Sequence, residues 1–133
     1  NPMWEFYKPE TKKRVKQPRA QIVVSGKQCT LLLNELICKE LGINTIVKNV
    51  LFRIDRTRNV IGLTFHNKTQ EGGFRLGRRK ALDTSAIRTV NVAKLLYDVL
   101  PTGLENGTYN LTYTREKNIL VLSLDNLVKS DED

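Results

Sequence analysis

An internal repeat constrains this chain more than any other feature. Residues 30–65 lie over residues 89–124 at an offset of 59, with no gap. Leu33, Leu36, Ile37 and Leu41 fall on Val92, Leu95, Leu96 and Leu100, and Val50, Phe52 and Ile54 fall on Tyr109, Leu111 and Tyr113. The turn Asp55-Arg56-Thr57-Arg58-Asn59 covers Thr114-Arg115-Glu116-Lys117-Asn118, and Ile61, Leu63 and Phe65 cover Leu120, Leu122 and Leu124. Identities are few, Thr30/Thr89, Leu36/Leu95, Leu41/Leu100, Arg56/Arg115, Asn59/Asn118 and Leu63/Leu122 among them, so the unbroken register and the coincident turns carry the weight. A solenoid needs about three copies or more. Two copies point instead to two halves of one pseudo-symmetric domain, and 133 residues leave room for one.

Each copy reads as strand, helix and hairpin. In the first, residues 21–25 read as a strand, Gly26-Lys27 as a turn and residues 29–31 as a short strand or helix lead-in. Residues 32–41 carry apolar side chains at helical spacing, with Gly42 at the stop. Residues 49–55 alternate, Val50, Phe52 and Ile54 inward, and residues 60–65 answer across a hairpin that ends on Asn59, a residue tolerant of positive φ. In the second copy residues 86–90 read as a strand and Asn91 as an N-cap. Val92, Leu95, Leu96, Val99 and Leu100 keep helical spacing until Pro101. Residues 108–114 alternate strictly, Asn118 repeats the role of Asn59, and residues 119–124 are apolar on both faces at Ile119 and Val121. That last strand is either buried twice over or a subunit contact.

The expected fold is therefore α+β, two pseudo-symmetric βαββ repeats sharing one core that includes Leu36, Leu41, Leu95 and Leu100. Residues 1–19 form a basic, flexible arm, and residues 20–128 a single domain. Its repeats, 28–65 and 87–124, are joined by a basic Gly/Arg segment over 66–86, and residues 129–133 form an acidic tail. The stretch Ile87-Arg88-Thr89-Val90-Asn91-Val92-Ala93-Lys94-Leu95-Leu96, with Leu104-Glu105-Asn106-Gly107 before the hairpin, resembles the SpoVT/AbrB swapped-hairpin family in tandem-repeat form. The proline that opens the helix in that family is absent, Val92 and Leu33 standing in its place, and Asn replaces the usual Asp before the hairpin. The resemblance implies a fused dimer that binds double-stranded DNA.

Charge placement points the same way. Of the formal net charge of +8, residues 1–19 carry +4 and residues 66–80 another +4, while the remainder cancels. Clustered positive charge is a polyanion footprint. In the arm, Lys12, Lys13, Arg14, Lys16 and Arg19 are candidates to neutralise phosphates, the alternative being a solubilising tail. In Gly72-Gly73-Phe74-Arg75-Leu76-Gly77-Arg78-Arg79-Lys80 the glycines allow close backbone approach. Arg75, Arg78, Arg79 and Lys80 supply phosphate contacts there and Phe74 a stacking ring, the alternative being a surface linker. Arg56 and Arg58 on one hairpin tip and Arg115 and Lys117 on the other are equivalent by the repeat, suited to straddling a duplex or simply solvated.

Chemistry of other kinds finds little support. His66, the single histidine, reads as a loop residue with no nucleophile near it, and Asp55 and Asp83 lack the spacing of a metal set. No catalysis, cofactor or metal is expected. Cys29 and Cys38 lack CxxC spacing and fit a reduced, cytoplasmic pair better than a disulfide. Neither a signal peptide nor a membrane-spanning run is evident. The expected partner is nucleic acid, DNA before RNA, with no membrane, and a homo-oligomer through the 119–124 face is a further option. A protein-interaction module, and a binder of RNA or single strands using Trp4, Phe6 and Tyr7, are the alternatives.

Overall fold

The computed structural model describes residues 3–7, 17–80, 86–100 and 102–130. Among the described residues eleven strands and two short helices follow one another as β1 (Ala20–Ser25), β2 (Gln28–Leu33), α1 (Glu35–Leu41), β3 (Asn49–Asp55), β4 (Val60–His66), β5 (Phe74–Arg75), β6 (Gly77–Lys80), β7 (Ala86–Asn91), α2 (Ala93–Val99), β8 (Gly107–Leu111), β9 (Tyr113–Glu116), β10 (Ile119–Ser123) and β11 (Val128–Lys129). They form two antiparallel sheets, one in the order β11-β8-β1-β2-β7-β6 and the other β5-β3-β4-β10-β9. The fold is α+β.

Three pairings cross between the halves of the chain, β1 on β8 being one. In the first sheet β2 lies on β7 with Leu31 opposite Val90, and in the second β4 lies on β10 with Gly62 opposite Val121. In both pairs the facing residues are 59 apart. Their flanking side chains fill one core: Leu31, Leu33, Ile61, Leu63, Val90, Leu120 and Leu122 are almost wholly buried, with Ile37 and Val50 among them.

Where sequence spacing and structure differ, hydrogen bonding decides. Leu32 and Leu33 sit in β2, paired with Gln21 and Ala20 on one side and with Thr89 and Arg88 on the other. The helix begins only after Asn34, whose side-chain oxygen accepts from the Ile37 amide at 3.1 Å. This later start turns the apolar face, so α1 buries Ile37 and Cys38 and leaves Leu36 half-exposed outside the core. Leu95 is buried as expected, while Leu41 and Leu100 pack at its margin. Gly42 stops α1 at φ 69°, with the Ile43 amide donating to the Cys38 carbonyl. In the second half Asn91 is the last residue of β7, and Val92 takes the N-cap position without a side-chain bond. The Asn91 side chain accepts instead from the Ala93 amide at 3.1 Å. Pro101 lies outside the described residues.

The strand expected over 108–114 breaks at Thr112. β8 belongs to the first sheet beside β1, and β9 to the second beside β10. The gapless offset also fails here. Phe52 faces Leu63, and Leu122, which lies 59 beyond Leu63, faces Tyr113, which lies 61 beyond Phe52. Two residues are gained before β9 and lost again in the hairpin. Asp55 and Val60 flank a four-residue loop, whereas Glu116 and Ile119 flank a two-residue turn. Positive φ accordingly falls on Asn59 at 54° but on Lys117 at 57°, not on Asn118. Ile54, expected inside, is 40% exposed at the turn end of its hairpin.

The joining segment is not a plain linker, because β5 edges the second sheet and β6 edges the first, with Leu76 buried between them. Gly73 is required there, since a Cβ would collide with the side-chain oxygen of the buried Asn49, which accepts from the Gln70 amide at 3.1 Å. Val121 is buried and Ile119 half-buried over Gly62, so the second face of β10 is covered within the chain itself. Leu63→Ala should cost roughly 2–5 kcal/mol in chemical denaturation, as truncations in a close-packed core do. Leu36→Ala should cost under about 1 kcal/mol, reversing the order that helical spacing alone predicts.

Candidate nucleic-acid interface

Strand register brings separate parts of the basic sequence to one end of the first sheet. Ala20 faces Leu33, Leu33 faces Arg88 and Arg88 faces Arg78, one row across β1, β2, β7 and β6. The next row outward holds Arg19, whose carbonyl accepts from the Asn34 amide, and at the far side Arg79 opposite Ile87. Three strand spacings, about 14 Å, separate the root of the arm from the basic edge strand. Because facing residues share a side of a sheet, Arg19 and Arg79 belong to the outer face, and Arg78 to the face that looks toward α1. Arg75, Arg78 and Arg79 are exposed, and Lys80 ends β6. Lys12, Lys13, Arg14 and Lys16 lie outside the described residues, as does Asp83.

The hairpin tips do not form a pair of free basic points. Ser123 faces Val60 and Leu120 faces Leu63, so the tips project from opposite ends of the second sheet. The Arg58 side chain nevertheless reaches Glu116 at 2.5 Å, as well as Asp55 at 2.8 Å. Hydrogen bonds from Arg58 hold both carboxyls below the usual acid range, and those carboxylates raise the Arg58 pKa in turn. On the other tip Arg115 donates to the Glu40 carbonyl at 3.1 Å, near the Tyr113 hydroxyl, which donates to the Glu40 carboxylate at 2.9 Å. Arg56 and Lys117 remain exposed and hold no ion pair among the described residues.

Phe74 is not a stacking platform. Its ring meets Phe52 edge-on at 4.9 Å and 82°, packed on the core. His66 closes β4 rather than a loop, its Nε2 2.9 Å from the Thr64 hydroxyl. Asp55 is occupied by Arg58, and no three metal-ligating side chains gather among the described residues. No described helix is long and apolar enough to cross a membrane. Cys29 and Cys38 carry free thiols, and burial pushes that of Cys38 up to about 11.

One functional-looking residue escapes sequence reasoning. Arg88 is only 6% exposed, and its guanidinium donates to the carbonyls of Asn44 at 2.9 Å, Gly77 at 3.1 Å, Leu76 at 3.3 Å and Val47. Burial lowers its pKa, Cys38 opposes that shift and Arg78 adds to it. No carboxylate among the described residues neutralises it. The available signal was its place in β7, two residues from the buried Val90 and therefore on the inward face. Arg88 fastens β6 to residues 44–47 and so makes the basic edge strand part of the rigid body. No family model, curated protein or solved structure matches this chain.

Two outcomes follow from these contacts. Arg88→Lys keeps the charge but cannot serve four carbonyls at once, so thermal or urea unfolding should show a loss of roughly 3 kcal/mol or more. The lowered acids Asp55 and Glu116 stabilise the fold above their ordinary pKa, and that contribution disappears as pH falls through their folded values. Between about pH 5 and pH 3 the wild type should therefore lose more stability than Glu116→Gln, and the gap should shrink in high salt.

Proposed function

We propose that this protein binds double-stranded DNA through phosphate contacts, without catalysis, using the outer face and basic edge of the first sheet. The observation that carries this reading is the shared end of that sheet, where the arm departs at Arg19 and the edge strand presents Arg79. An edge strand suits the role physically. Its side chains alternate, so neighbouring arginines serve both faces, and its outer backbone edge offers amide donors to phosphate oxygens. Arginine adds a planar fork matched to phosphate. Two βαββ repeats sharing one core, a fused dimer of the kind the SpoVT/AbrB resemblance implies, would place two such halves on one duplex. Free thiols at Cys29 and Cys38 fit a reducing, cytoplasmic setting.

A protein-interaction role is the second reading, favoured by one observation. Met3, Trp4, Phe6 and Tyr7 are all about nine-tenths exposed, and Tyr97 on α2 is 77% exposed. Such side chains suit contact with another macromolecule.

A salt series separates the two. Duplex affinity of the wild type should fall steeply with salt, log K changing by about −0.9 for each phosphate neutralised. Because β5 and β6 are strands, glutamine preserves them better than alanine. Changing Arg75, Arg78, Arg79 and Lys80 together to Gln should flatten the slope by up to roughly 3 to 4 units. No wild-type binding to duplex at about 50 mM salt would overturn the reading in favour of the interaction module.

A further inference from the structure

Arg78 and Arg88 stand directly opposite each other on adjacent strands, so both side chains leave the same face of the sheet. Like charges in that relation repel and destabilise a sheet. Together with Lys39 and Asn44 they line a cleft of about 180 Å³ between α1 and the β6–β7 edge. The acidic residue on its wall, Glu35, is engaged by Lys39 at 3.4 Å. Carbonyl groups satisfy all but one of the N–H donors of Arg88, yet they neutralise none of its charge. A buried cation without a counter-charge is costly, and such groups are normally paired.

We propose that this cleft is a subsite for one phosphate group, held between Arg78, the remaining Arg88 donor and Lys39. The cavity has several times the volume of a water molecule, which occupies about 30 Å³ in the liquid, and so has room for a tetrahedral oxyanion. An oxyanion there converts the Arg78–Arg88 repulsion into two charge-assisted contacts. The subsite rests on the nucleic-acid reading only for the source of its phosphate, a backbone phosphodiester, while free phosphate presents the same chemistry.

The test is nuclear magnetic resonance of the whole chain, following the arginine side-chain N–H signals and the Lys39 and Asn44 amides. Inorganic phosphate is titrated at constant ionic strength against chloride, and a short duplex is titrated separately. The expected result is a saturable shift of the Arg88 side-chain signal with phosphate, weakened about tenfold in Arg78→Gln and partly restored in Arg78→Lys. Arg78 is exposed, so both variants should keep the wild-type spectrum elsewhere. Shifts that follow ionic strength alone, or saturate equally in Arg78→Gln, overturn the subsite. If the duplex moves the same signals, a backbone phosphate is the occupant. If phosphate saturates the cleft and no duplex binds, the subsite stands and the nucleic-acid reading falls. If the duplex binds wild type and Arg78→Gln alike while phosphate never saturates, the reading stands and the subsite falls.

Discussion

Three antiparallel strand pairs, β1 on β8, β2 on β7 and β4 on β10, join the first half of the chain to the second, and the remaining architecture depends on them. Neither half has a closed core alone. A unit of roughly 40 residues buries too little surface to be stable in isolation, and its strand edges would stay open. Pairing across the halves removes both problems at once, and Leu31, Leu33, Leu63 and Leu122 become fully enclosed. Pairing of β4 with β10 also joins the two hairpins in one sheet, and the Arg58–Glu116 contact links them further.

The same arrangement decides what the basic segment is. A run of glycine and arginine between two halves would ordinarily be a solvated connector. Here it is drawn into regular structure because each sheet has an edge to receive it, β5 on β3 and β6 on β7. Gly73 lets the chain pass Asn49, Leu76 anchors the crossing between sheets, and Arg88 holds the carbonyls of Leu76 and Gly77. The exposed arginines are thus mounted on a fixed strand. Positioning of this kind lowers the ordering cost that a flexible basic segment meets on binding.

Local signals in the sequence were readable where local bonds dominate. β3 spans the residues that its alternation marks, Gly42 ends α1, and Asn59 takes the left-handed turn position. Features set by distant partners were not readable. Leu32 and Leu33 follow helical spacing, but two neighbouring strands claim them. The crossing at Thr112 and the two-residue shift in β9 arise from which sheet the chain joins, a choice invisible to periodicity. Phe74 resembles a stacking residue until Phe52 is placed beside it. At the candidate interface, charge clustering was legible in the sequence, but the shared row of Arg19 and Arg79 needed the register of four strands.

The central claim, that the end of the first sheet contacts DNA, is tested most directly by arginine protection. The protein is treated with phenylglyoxal with and without duplex at low salt, and modified peptides are quantified by mass spectrometry. Protection of Arg19, Arg78 and Arg79, with Arg53 and Arg56 on the second sheet reacting as freely as before, is the predicted result. Protection confined to the hairpin tips, or equal reactivity at every arginine with duplex bound, would contradict it.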